Sequence, residues 1–150
     1  MLAVLLLPAP LESLEADHPA RDLQRADGVV AVDPPRLSYA AQSRLPAEVS
    51  DALATLQARR LLRALDEPVG AVVLFDPRSY PLARGLLAIG DCELWYAGHT
   101  PSQEGSERLR KRLRALDDQA RDRSAIRFTT TEPLWERMRE LKVDIRVSSR

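Results

Sequence analysis

Short apolar runs alternate along this chain with longer segments of helical period. The runs fall at residues 3–7, 29–32, 71–75, 93–96, 125–129 and 143–147, with turn signals and helical stretches between them. That alternation is the pattern of βαβ units feeding a parallel sheet. Two runs, residues 1–7 and 71–75, are apolar throughout rather than alternating, as expected of central strands covered on both faces.

The helices are marked by caps and by period. Pro46 stands at a first-turn position, where a missing N–H is harmless. It opens a long segment whose apolar positions include Leu53, Leu56, Leu61, Leu62 and Leu65. These spread widely around a helix, so a second partner besides the sheet is expected. Leu82, Leu86 and Ile89 form a stripe ending at Gly90, and Leu109, Leu113, Leu116 and Ala120 repeat it. Thr131 can cap a last helix in which Leu134, Met138 and Leu141 face inward. The expected architecture is a three-layer, Rossmann-like α/β domain spanning 1–150, with a mostly parallel sheet of about six strands and helices on both faces.

Composition narrows the partners. The 22 basic and 22 acidic residues cancel, so no global field draws the chain to nucleic acid. With one cysteine, Cys92, and two histidines, neither an intrachain disulfide nor a cysteine-rich zinc site can form, and no metal or other cofactor is expected. The reducing cytoplasm is the expected compartment. The opening apolar run Met1 to Leu7 lacks a basic flank and stops at Pro8, far short of the ~20 residues that span a bilayer. Arg108, Arg110, Lys111, Arg112 and Arg114 read first as a solvated helix face balanced by Asp117, Asp118 and Asp122. The alternative is peripheral attraction to anionic lipid headgroups. The preference for Arg over Lys and the abundance of Ala and Leu suggest a GC-rich bacterial genome.

In open parallel sheets ligands bind outside the carboxyl ends of the strands, which directs attention to residues 8–10, 33–36, 76–80, 97–100 and 129–132. Glycine loops for nucleotides are absent there, since Pro8-Ala9-Pro10 replaces any glycine turn after the first strand. Asp76 directly follows a buried strand, where a carboxylate acts as a base or ligand, or simply caps the turn before Pro77. His99, on the loop after Tyr96, is the candidate general base. His18 precedes a helix start, where capping suffices. Thr129, Thr130, Thr131 and Glu132 present hydroxyls and backbone N–H groups at a helix start, suited to an anion, a sugar hydroxyl or ordinary capping. Trp95 and Trp135 read as core or domain-contact residues.

The run Ala71-Val72-Val73-Leu74-Phe75-Asp76-Pro77, then Glu93-Leu94-Trp95-Tyr96, the charged helix from Glu104, and Phe128-Thr129-Thr130-Thr131-Glu132-Pro133-Leu134 resemble the N-terminal, acceptor-side domain of GT-B-fold glycosyltransferases. The resemblance covers roughly residues 69–147. It implies transfer of a sugar from a nucleotide donor to a sugar or glycan acceptor, with His99 as base and with Asp76, Tyr80, Tyr96, Thr130, Thr131 and Glu132 lining the acceptor cleft. It also implies that a donor-binding domain or second subunit must complete the enzyme, since group transfer needs both substrates in one water-poor cleft. The other reading of the same chain is a non-catalytic Rossmann-like binding or assembly module that meets another chain through the helix carrying Leu53 and Leu65.

Overall fold

A computed structural model describes residues 1–34, 44–98 and 105–147. The apolar runs form five strands: β1 (Leu2–Leu6), β2 (Val29–Val32), β3 (Val69–Leu74), β4 (Glu93–Tyr96) and β5 (Ile126–Arg127). All neighbouring pairs are parallel, in the order β2-β1-β3-β4-β5. The two wholly apolar runs, β1 and β3, are inner strands with every residue buried. At the edges, β2 keeps only Val29 buried and β5 is two residues long.

The register sorts side chains into two cores. Val4, Val72 and Leu94 lie side by side across three strands and point to one face, while Leu5, Val73 and Trp95, one residue on, point to the other. This is the two-residue strand period acting across the sheet. The first face carries α2 (Ala47–Ala64), α3 (Tyr80–Ile89) and α4 (Glu107–Arg123). The second carries α1 (Pro19–Leu23) and α5 (Glu132–Glu140). The result is a Rossmann-like three-layer α/β fold with five strands rather than six among the described residues.

The expected sixth strand fails for a local reason. Immediately after α5, Lys142 takes a left-handed conformation (φ 61°), and the Lys142 and Val143 amides donate to the Arg139 and Met138 carbonyls. This is a Schellman turn. It reverses the chain, and the following segment runs antiparallel beside the entry to β2. There Gly28 N–H donates to Asp144 O, Asp27 N–H donates to Arg146 O, and Ala26 bridges Val147. Val143 is buried and Ile145 packs on the core, so the alternating pattern is real, but it serves a single antiparallel arm.

The stripe on α4 is buried as its spacing requires, with Leu109, Leu113, Leu116 and Ala120 all inside. At ~1.5–3 kcal/mol for each buried leucine, that face outweighs the many charges on the rest of the helix. On α3, Leu82 and Leu86 are buried but Ile89 is about half exposed. On α2 the buried positions are Ser50, Ala54 and Ala58, while Leu56 is 45% exposed. The reason lies on α3, where Gly85 lets the helices approach until a Cβ built on it would sit 2.9 Å from Ala58 Cβ. Small residues therefore form this interface. Covered by the sheet on one side and α2 on the other, α3 has seven of its ten residues buried.

Candidate functional site

Winding from β1 outward to β2 and back to β3 puts the topological switch point between β1 and β3, and a ligand crevice is expected at their carboxyl ends. At the end of β3, Asp76 Oδ1 accepts the Arg78 N–H at 2.8 Å and caps the 3-10 turn Pro77–Ser79 that leads into α3. Tyr80, the first residue of α3, is only 4% exposed. Arg84 lies 5.7 Å from its ring centroid, and burial raises its phenol above the ordinary value. On the opposite face His18 Nδ1 accepts the Ala20 N–H at 3.1 Å and caps α1. The His18 ring packs 5.1 Å from Phe75, and Phe75 meets Phe128 edge-on at 6.0 Å. Aromatic packing thus fills this side of the switch point.

At the end of β4 the Tyr96 ring is fully buried, and its hydroxyl donates to Asp117 Oδ1 at 2.6 Å. Asp117 Oδ2 accepts from Arg121 Nε at 3.0 Å, and the Arg121 guanidinium lies 5.9 Å from the Tyr96 ring centroid. Burial, reinforced by the bond to Asp117, pushes the phenol well above its ordinary 10. Tyr96 is therefore a protonated donor inside a packed network. Two residues further, Gly98 adopts φ +64° with the Arg121 guanidinium beside it, a conformation that glycine adopts without strain. His99 and Thr100 lie outside the described residues.

The exit of β5 is more open. Thr131 occupies the N-cap of α5, but its hydroxyl makes no capping bond, and its carbonyl accepts the Leu134 and Trp135 amides at 3.0 and 3.1 Å. Thr130 and Glu132 line a surface pocket of about 460 Å³ together with Pro133, Trp135, Glu136 and Arg139. The spacing of Glu132, Glu136 and Arg139, at i, i+4 and i+7, places them on one helix face. Two carboxylates can accept from hydroxyls, a guanidinium can donate, and a half-buried indole offers a flat apolar surface.

The structure thus gathers Thr130 and Glu132 in one pocket and sets Thr131 between them. Tyr80 and Tyr96 share the buried core on the other face, and Asp76 is engaged in a turn. The sequence reading assigned Trp135 to packing and did not single out Glu136 or Arg139. Their helical spacing was the available signal. Cys92 is half-buried, and burial pushes its thiol up to about 11, so it is not a thiolate nucleophile at neutral pH. Among the described residues no group of three or more His, Cys, Asp or Glu side chains could hold a metal ion. No helix in them is long and apolar enough to cross a membrane. No protein-family model, curated protein or solved structure matches this chain.

Proposed function

We propose that this chain is the acceptor-side half of a GT-B-like sugar-transfer enzyme, which binds a sugar or glycan over the start of α5 and acts once a donor-binding domain is supplied. The observation that carries the reading is the pocket at the carboxyl edge of a parallel sheet, where Thr130, Glu132, Glu136 and Arg139 surround the Trp135 indole. Polyhydroxylated rings suit such a surface, with hydroxyls on the polar groups and a C–H face against the aromatic plane. His99, beyond the end of β4, is the base in this reading. The pocket is open to water, consistent with a site that needs a second domain to close it.

The test is saturation-transfer NMR of the full chain against a panel of mono- and oligosaccharides. Contacts should appear in the wild type and fall away in Glu132→Gln, whose exposed position leaves the fold intact, and in Trp135→Ala, whose fold is checked by its amide spectrum because the half-buried indole also packs on the core. No saturation of any saccharide, or equal saturation in both variants, overturns the sugar site. With a donor domain present, His99→Ala should abolish transfer, and full turnover removes the base assignment.

One observation favours the assembly reading. Val49 and Leu56, seven residues apart on α2, are each 45% exposed and lie along one face with the half-buried Leu53. In that case Leu56→Glu weakens a concentration-dependent association seen by sedimentation equilibrium. A strict monomer in both proteins counts against it.

A further inference from the structure

A second cavity lies on the opposite helical layer, between the start of α2 and the basic face of α4. It holds about 260 Å³ and is lined by Leu45, Ala47, Ser50, Arg108, Lys111 and Arg112, with Ala115 at its side. That volume is far above the ~10–15 Å³ that one ordered water needs.

The groups around it match one chemistry. Ser50 is 1% exposed, yet among the described residues its hydroxyl has no hydrogen-bond partner. Buried hydroxyls are ordinarily satisfied, so an orphan on a cavity wall points to a missing partner. The 18-residue helix α2 starts after Pro46, which supplies no side-chain acceptor to the first-turn N–H groups. The positive end of its dipole is therefore uncapped at this wall. Among the described residues Arg108 and Lys111 make no ion pair. Arg112 Nη2 reaches Asp51 Oδ1 at 3.0 Å, but Asp51 also takes Arg84 at 2.8 Å, so its single charge is already divided between two arginines. Glu48 and Glu107, in the first turns of the two helices, are exposed and do not line the cavity.

We propose that this cavity binds a phosphoryl group. A tetrahedral dianion offers acceptor oxygens on several sides. Here it would meet a hydroxyl donor, a helix N-terminus and three cationic side chains, with no acidic residue in the lining among the described residues. Three cations line it, and a neutral sugar would leave that charge unmatched. The site is independent of the pocket over α5, from which it differs in face, helices and charge.

Pyrophosphate, titrated into the full ¹⁵N-labelled chain at constant ionic strength, is the probe. Expected are resonance shifts confined to residues 47–50 and 108–112 and an affinity that falls about tenfold or more in the Arg108→Ala/Lys111→Ala double variant. Both side chains are exposed, so the fold should survive. Ser50→Ala should weaken binding severalfold without lowering the melting temperature of the free protein, a pairing that a merely structural serine would not give. Sedimentation with phosphatidylcholine vesicles, with and without phosphatidic acid, forms the second arm. Vesicle binding with the same dependence on Arg108 and Lys111 assigns the phosphoryl group to a lipid headgroup, and pyrophosphate binding alone assigns it to a soluble ligand. Silence toward both probes, or wild-type affinity in the double variant, overturns the proposal.

Discussion

Asp117 is a carboxylate buried to 7% exposure, and it is tolerated because two donors hold it, the Tyr96 hydroxyl and the Arg121 guanidinium. Removing one donor leaves charge desolvated and half-paired, the costly direction of the hydrogen-bond asymmetry. Tyr96→Phe keeps the ring and its burial, so it should destabilise by about 1–3 kcal/mol through that effect alone. Chemical denaturation should show the loss in the midpoint with an unchanged slope. An unaltered midpoint would mean that water replaces the phenol at Asp117. Nothing in the local sequence announces this pair, since the partners stand 21 residues apart on different elements. Asp76 is the opposite case. Its turn-capping bond to Arg78 N–H, two residues on, follows from the Asp-Pro dipeptide after a strand.

At the scale of elements, α5 ends in a Schellman turn built on the wrong residue. Lys142 sits at φ 61°, where an L side chain crowds its own carbonyl at ~1–2 kcal/mol. Lys142→Gly should relieve that crowding. After the greater freedom of glycine in the unfolded chain is deducted, a gain of about 0.5–1 kcal/mol should remain, readable as a higher melting temperature. A fall would show that the lysine side chain contributes more than the strain it brings. This turn was hidden from a reading of pattern alone, because the usual glycine punctuation is missing and Val143, Ile145 and Val147 alternate as a strand would. Helix α2 hid its interface for another reason. Periodicity marks leucines as the inward stripe, but which stripe faces in depends on the partner. A glycine on α3 selects Ala54 and Ala58.

For the whole molecule, acid should loosen the second face first. Arg137 on α5 ion-pairs with Glu93 at the start of β4, and Glu93 also accepts the Trp95 indole N–H at 3.1 Å. The Arg137 hydrogen bond, against a smaller desolvation effect, holds the Glu93 carboxyl below its ordinary 4.5. The folded state therefore binds that proton less tightly than the unfolded chain does. The stabilisation is complete above 4.5 and disappears as pH falls through the depressed folded value. Melting temperatures taken from neutral pH down through this window should fall more steeply in the wild type than in Glu93→Gln. Parallel curves would show that other carboxylates govern the acid limb. Asp144, held at about 2 by Arg146, makes the same contribution in both proteins and cancels from the comparison.

The apolar runs determined class and layering by themselves. A strand without polar positions has no face to offer water, so β1 and β3 had to lie inside a sheet with helices on both sides. The stripe of α4 was equally legible, because its apolar residues allow only one buried face. Tertiary structure decided the rest. It put Tyr96 into the core and opened a pocket at Thr130 and Glu132. It also set an orphan Ser50 against Arg108 and Lys111, more than fifty residues away. Periodicity records how one element divides its surface between water and protein, whereas a site is made where surfaces of several elements meet. That meeting depends on helix approach distances and turn directions, which no single segment encodes.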